Sequence, residues 1–230
     1  MAAPAYWLVV PAAGRSERLG GATPKPYLRL GPRTVIEHAL APFLADPRCQ
    51  GVVIALAKDD RHWPTLTVAK DPRITTVAGG AERRDSVAQA LAGVLAQVGA
   101  ADPWVLVHDA ARPCVARAEI DALLAALSRA PDGALLALPL TDTVKRASAE
   151  GRVEATLDRE RLWRALTPQA FRARALALAL AAAPAATDEA GAIEALGGAP
   201  LLVSGSPANL KVTLPEDMAL AARILGVAAP

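Results

Sequence analysis

The sequence predicts an α/β fold: an open, mostly parallel sheet with helices on both faces and a protruding β-hairpin arm. Three observations carry this. Short runs at 7–10, 52–56, 74–77, 104–107 and 134–138 are mostly apolar rather than alternating, as strands covered on both faces are. Helical patterns fall between them, and strand–helix alternation gives parallel strands joined by right-handed crossovers, a Rossmann-like order. A single polar stretch, 141–157, interrupts the alternation.

Each element has its own signal. Thr34-Val-Ile-Glu37 reads as a capping box that opens a helix toward Leu44, with Pro42 expected to shorten or bend it. Val87, Leu91, Val94, Leu95 and Val98 recur at helical spacing and predict a helix over 86–98. Another is expected over 119–129, stopped near Pro131. The stretch 141–157 is polar, rich in Thr and Val, and turns at Glu150-Gly151, so it reads as a hairpin without a core of its own. An isolated hairpin is marginal in water, which predicts that it packs on something, a second subunit being the natural choice. Beyond it come a strand at 162–166, helices at 171–183 and 188–196, and short strands at 201–203 and 210–212. Thr213-Leu-Pro-Glu216 then caps a last helix reaching Leu225. No repeat or low-complexity linker divides the chain, so residues 1–230 are read as one domain with 141–158 as its arm.

Composition removes several classes. Hydrophobic residues make up 53% of the 230, enough for a sizeable core. A net charge of +2 and an aromatic content of 3% argue against nucleic-acid binding. Cys49 and Cys114 form neither a disulfide framework nor a metal-ligand cluster. The N-terminus lacks a cationic leader, and the alanine-leucine run at 175–186 is too short for a membrane span and contains Pro184. A cytoplasmic protein without membrane contact is expected. There is no GxSxG, no HExxH and no Cys–His nucleophile pair.

In open α/β sheets ligands bind beyond the carboxyl ends of the strands. After the first strand the sequence places Ala12, Ala13 and Gly14, then Arg15, Arg18 and Lys25 among Ser16, Gly20, Gly21 and Thr23. Small residues let a ligand approach the backbone, and cations meet phosphate. The spacing is neither GxGxxG nor GxxxxGK[ST]. After the third strand come Gly79-Gly80 and Arg83-Arg84-Asp85-Ser86. The glycines are either a tight turn or a close approach, and cations at a helix start oppose its dipole, which points to an anion nearby. After the fourth come His108, Asp109 and Arg112. Asp109 is either a helix cap or a site carboxylate, and the three histidines are read as structural. After the fifth comes Thr141-Asp-Thr143-Val-Lys145. Lys211 stands alone in an apolar setting, where a lone lysine would ordinarily snorkel to solvent. Cations, glycines and one prominent aspartate suit nucleotidyl or phosphoryl transfer, in which positioning and charge neutralisation do most of the work.

The segments PAAGRSERLGGATPKPYL, GGAERRDSV, VLVHDAARPC, DTVKR, TLDRERLWRALTPQ, TDEAGAIE and NLKVTLPED occur in this order. Together they resemble the 2-C-methyl-D-erythritol 4-phosphate cytidylyltransferase family across almost the whole chain. The resemblance implies transfer of the CMP moiety of CTP to methylerythritol phosphate with release of pyrophosphate. It implies Mg²⁺ carried on the CTP triphosphate and a homodimer interlocked through the 141–158 arm. It implies that Arg18, Lys25, Arg159 and Lys211 are catalytic cations, with Arg159 reaching across from the neighbouring subunit. Ala12, Ala13, Gly14, Gly80, Arg83, Ser86 and Asp109 would hold the nucleotide, and Asp109, Arg112, Thr143, Arg159, Thr167 and Lys211 the second substrate. A phosphate monoester is largely a dianion at neutral pH, so it attacks phosphorus without a general base. Two departures from the family pattern stand out. Ser16 replaces a usual glycine, and Pro26 after Lys25 biases that lysine toward extended geometry. Two alternatives remain open at this point: a ribitol-phosphate cytidylyltransferase of the same fold, and a catalytically silent nucleotide-binding module.

Overall fold

The computed structural model describes residues 3–14 and 23–229. Along the chain come β1 (Tyr6–Pro11), a short antiparallel ribbon of β2 (Arg29–Leu30) and β3 (Arg33–Thr34), α1 (Val35–Leu44), β4 (Cys49–Leu56) and β5 (Ile74–Ala78). Next are α2 (Arg83–Val98), β6 (Trp104–Val107), α3 (Arg117–Ala126) and β7 (Ala134–Pro139). The hairpin β8 (Val144–Ala147) and β9 (Val153–Leu157) is followed by β10 (Trp163–Arg172), α4 (Ala173–Ala182), α5 (Glu189–Ala195), β11 (Leu201–Ser204) and α6 (Pro215–Leu225).

Among the described residues the main sheet has seven strands in the order β11-β7-β10-β6-β1-β4-β5. β1 runs parallel to β4 and β6, β4 to β5, and β7 to β11, while β10 is antiparallel to both its neighbours. Successive side chains of β1 serve opposite faces. Leu8 and Val10 join Ile36, Leu40 and Phe43 of α1 and Ile120 and Leu123 of α3. Val9 joins Val87, Leu91 and Val94 of α2, Leu176 and Leu180 of α4, and Ile193 of α5. Helices on both faces explain why the central strands carry no polar alternation, whereas β5, at the edge, exposes Thr75 and Thr76. On one side, α6 packs Met218, Ala221 and Ala222 against Leu30, Val35 and Val212.

Several elements differ from the sequence expectation. α2 begins at Arg83, three residues early. The strand expected at 162–166 continues to Arg172, so α4 begins only at Ala173. The register of β10 against β7 shifts between Ala165 and Gln169, and the Thr167–Pro168 peptide inside this interval is cis. Pro42 lies in the last turn of α1 and the helix still reaches Leu44: the proline removes one intrahelical donor, the one that would meet His38 O, and Ala45 N–H still closes on Ala41 O. Residues 210–212 form no strand. Val212 N–H donates to Ala111 O at 2.8 Å, and its side chain fills the α6 cluster instead of a ladder position. The last helix is capped from inside its first turn: Asp217 Oδ2 accepts from Thr213 N–H (2.7 Å) and Leu214 N–H (2.8 Å), displacing the expected Thr213–Glu216 pair. Lys25, expected extended before Pro26, opens a 3-10 turn over Lys25–Tyr27 closed by Leu28 N–H on Lys25 O (3.2 Å).

The hairpin is held by its own contacts. Lys145 Nζ donates to Thr156 Oγ1 at 2.6 Å, and Arg146 pairs with Glu154 at 3.5 Å. Val153, Leu157, Leu162 and Trp163 are exposed on it and at its base.

Candidate active site

The carboxyl ends of β1, β5 and β6 meet at one edge of the sheet. Ala12 N–H donates to Ala55 O (2.8 Å), Gly79 N–H to Leu56 O (2.7 Å) and His108 N–H to Val9 O (3.0 Å), so each loop is anchored on a neighbouring strand. Ala12, Ala13, Gly14, Gly80, Arg83, Ser86 and Asp109 line a cleft of about 340 Å³ with Lys25 and Lys211. These lining residues come from parts of the chain up to about two hundred positions apart, and strand order alone brings them together.

The glycine pair is a close approach. A Cβ on Gly79 would lie 2.4 Å from Ala13 Cβ and 2.8 Å from Ser86 Oγ, and one on Gly80 would lie 2.2 Å from Asp85 Cβ. Ser86 is buried; its hydroxyl accepts from Gly80 N–H (3.2 Å) and donates to Glu82 O (3.2 Å). It therefore sets the path of the loop that faces the cleft.

Asp109 is no helix cap. Arg83 Nε donates to its Oδ1 at 2.9 Å, Lys211 Nζ to its Oδ2 at 2.9 Å, and Arg112 Nε stands 3.7 Å from Oδ2. Burial alone would raise the Asp109 pKa, but the charges and hydrogen bonds of Arg83 and Lys211 outweigh it and hold the carboxyl well below the usual carboxylate range. Arg83 also reaches Glu189 through Nη1 (2.7 Å) and Nη2 (3.1 Å). The anion implied by a cation at the start of α2 is thus supplied by the protein's own carboxylates.

A second layer fixes Asp109 from behind. Its N–H donates to Thr167 Oγ1 (3.1 Å), and Thr167 Oγ1 lies 3.0 Å from His108 Nδ1. His108 Nε2 lies 3.1 Å from Arg112 O, a carbonyl that can only accept. Nε2 therefore carries the hydrogen, and Nδ1 accepts from the Thr167 hydroxyl. Burial, the largest influence, brings His108 down to about 4, so the ring is neutral at pH 7. Arg112 is buried with Nη1 on Asn209 O at 2.8 Å, and its Nε has no hydrogen-bond partner. Lys25 Nζ donates to Thr213 O at 3.4 Å.

Not every expected residue lies in the cleft. Arg18, with Arg15, Ser16, Gly20 and Gly21, falls outside the described residues. Thr143 and Arg159 are exposed at the base of the hairpin and do not line the cleft. The reason is the position of β10: it separates β7 from β6, which moves the fifth expected strand end two strand spacings, about 10 Å, from Asp109. Thr167 and Arg112 lie beneath Asp109. Sequence reasoning missed Glu189 and Asn209. The first lay within the TDEAGAIE segment and the second in NLKVTLPED, but nothing local marks either as a partner of Arg83 or Arg112. Among the described residues no group of three or more His, Cys, Asp or Glu could hold a metal. Both oxygens of the Asp109 carboxylate are engaged by cations, so the cleft's described residues do not fit a resident Mg²⁺.

Residues 6–227 match the family model described as 2-C-methyl-D-erythritol 4-phosphate cytidylyltransferase. A curated protein of that name from Pseudomonas putida (strain W619) is 52% identical over 219 residues, covering 94% of this chain and 93% of its own. A crystal structure of 4-diphosphocytidyl-2C-methyl-D-erythritol synthase superposes with a TM-score of 0.83 at 35% identity, covering 96% of this chain and 98% of that one. The Francisella tularensis 2-C-methyl-D-erythritol 4-phosphate cytidylyltransferase superposes at 0.80 with 30% identity over 96% and 99%.

Proposed function

The chain belongs to the 2-C-methyl-D-erythritol 4-phosphate cytidylyltransferase family, and we propose that the cleft around Lys25, Asp109 and Lys211 carries out that family's reaction. CTP and methylerythritol phosphate give 4-diphosphocytidyl-2-C-methyl-D-erythritol and pyrophosphate, a step of the non-mevalonate route to isoprenoid precursors. A phosphate oxygen of the acceptor forms a bond to the α-phosphorus of CTP. The bond from that phosphorus to the oxygen bridging the β-phosphate breaks, and pyrophosphate leaves with the electron pair.

The acceptor is already a dianion near pH 7, so no side chain has to take a proton. The task is to bring two anions together and to stabilise the charge that builds up between them. Lys25 and Lys211 do this from the cleft, joined by Arg18 and by Arg159 of a neighbouring subunit. Mg²⁺ enters with CTP as part of the substrate. Ala12, Ala13 and Gly14 lie against the nucleotide, Gly80, Arg83 and Ser86 surround the base, and Asp109 receives hydroxyls. Arg112, Thr143 and Lys211 hold the second substrate. Thr167 serves both substrates by holding the Asp109 backbone. The observation that carries this assignment is one carboxylate, Asp109, held between Arg83 and Lys211 at the joined ends of three parallel strands.

The protein works as a homodimer in the cytoplasm. Support for the dimer is the hairpin, which exposes Val153, Leu157 and Trp163 and shares its base with Arg159. Support for the compartment is the pair of buried free cysteines and the absence, among the described residues, of a helix long and apolar enough to cross a membrane.

Pyrophosphate release with CTP and Mg²⁺ tests the assignment. Release is expected with methylerythritol phosphate; release with ribitol phosphate instead would overturn the choice of acceptor. CTP binding with no release from either would indicate a silent module. For the arm, mixing Arg159→Ala chains with Lys25→Ala chains should restore part of the activity that each lacks alone. Demonstrably mixed dimers without recovery would place Arg159 in its own subunit's site.

A further inference from the structure

The 187–194 segment has no part in the chemistry above, yet it is tied closely to the cleft. Asp188 caps α5: its Oδ1 accepts from Gly191 N–H at 2.9 Å and its Oδ2 from Gln169 Nε2 at 2.9 Å. Gln169 Oε1 accepts in turn from Ala190 N–H at 2.9 Å. The first turn of α5 is therefore pinned to β10 on both sides of Glu189. Glu189 itself is fully buried, and its carboxylate takes both terminal nitrogens of Arg83. The remaining edge of the same guanidinium, Nε, points to Asp109 Oδ1.

We propose that Glu189 is a positioning residue for nucleotide binding, which fixes the Asp109 carboxylate by holding Arg83 between the two acids. This rests on the cleft being the CTP site. The guanidinium is planar and presents its donors along fixed edges, so a carboxylate gripping one edge determines where the other edge donates. Glu189 also balances the charge of Arg83, which leaves the negative charge of Asp109 to Lys211 and to an incoming hydroxyl. Without it, the Arg83 fork turns its two terminal nitrogens onto Asp109 and draws that carboxylate away from Lys211. Arg83 and Glu189, 106 positions apart in sequence, thus form a strut whose free end is a cleft residue.

A double-mutant cycle tests this. CTP dissociation constants, KM for CTP, kcat and thermal midpoints are measured for the parent, Glu189→Gln, Arg83→Met and the double variant. Glu189→Gln should weaken CTP about tenfold or more, the range expected for a lost charged hydrogen bond, with KM for CTP rising alongside and kcat changing less. In the Arg83→Met background the same substitution should change CTP affinity less than about twofold, because the strut is already gone. Equal losses in both backgrounds would overturn the proposal, as would a lower thermal midpoint with CTP affinity unchanged, which is the mark of a purely structural tie. If Glu189→Gln does not fold, Glu189→Asp, which keeps the charge but is one methylene shorter, takes its place in the cycle under the same criteria. The dissociation constants need CTP alone, so a wrong acceptor leaves the cycle readable, whereas a parent that binds no CTP overturns both the site and the strut.

Discussion

Asp46 and Asp109 are both buried among arginines, at opposite ends of the sheet. Asp46 lies where β1 and β4 begin. It takes the Tyr6 hydroxyl (3.1 Å), Arg48 (2.8 Å) and Arg117 (3.2 Å), and both arginines also contact Asp121. Asp109 lies where β6 ends and is shared by Arg83, Lys211 and, at longer range, Arg112, with Glu189 as the second acid. The first network sets two cations against two acids and is balanced. The second sets three cations against two acids and keeps a positive excess. Lys211, its outermost cation, has a half-exposed side chain. The same residue types therefore make a closed tie in one place and an anion-seeking site in the other. Stoichiometry and access separate them, since burial of the central carboxylate does not.

That difference can be broken from either side. The largest effect is expected at the balanced end. Asp46→Ala strands the buried Tyr6 hydroxyl, at about 1–3 kcal/mol, and removes charged hydrogen bonds from two partly exposed arginines that keep Asp121, at about 1.5–3 kcal/mol more. Urea unfolding should show a loss of that size, while turnover per folded molecule stays at the parent level. A fall in kcat at matched folded fraction would mean that the two ends are coupled. Lys211→Ala should do the converse. Asp109 keeps Arg83 and Arg112, so the fold is retained. The rate should drop about 10²–10³-fold, or about 2.7–4 kcal/mol, as for removal of one preorganised donor. Turnover within a few-fold of the parent would take Lys211 out of the mechanism.

How much of this was legible in the sequence follows the same division between local and assembled features. The five runs became β1, β4, β5, β6 and β7; four are largely buried on both faces, which leaves its mark residue by residue, whereas β5 is an edge strand of the sheet, with Thr75, Thr76 and Ala78 exposed. Thr34 and Glu37 form the capping box that their spacing announced. β10 was half-read, since Thr-Pro inside a run signals a turn and the alanine-leucine pattern after Phe171 signals a helix. Residues 210–212 misled because an apolar triplet satisfies a strand pattern without saying whether a neighbouring strand exists. In the site, the glycines, Ser86, Asp109 and Lys211 could be placed because each directly follows a strand or sits in a recognisable segment. Glu189 could not, for its role exists only through an arginine 106 residues away.

The smallest expected effect concerns the layer behind Asp109, and it sharpens the comparison because its buried ring is a histidine, where the Asp46 network has the Tyr6 hydroxyl. His108 is held neutral, with its titration brought down from 6.5 to about 4. An unfolded chain takes up the proton as pH drops below 6.5, while the folded chain resists until about 4. The unfolded state therefore binds more protons throughout that window, and stability falls as pH falls. The loss is on the order of 2–3 kcal/mol between the two values. Asp109 acts lower on the scale. Its folded pKa is depressed, so its contribution is complete above the ordinary carboxylate value of 3.8 and is lost only as pH falls beneath it. Urea midpoints measured from pH 7 to pH 4 should thus slope downward in the parent and flatten in His108→Asn, whatever the variant's absolute stability. A slope as steep in the variant would assign the window to other groups and leave the Asp109 backbone without its neutral support. Flattening would show that both ends back a carboxylate with a neutral ring but only one of those rings titrates in this window: burial pushes the Tyr6 hydroxyl on Asp46 up and keeps it protonated, whereas His108 behind Asp109 gains a charge as the pH falls.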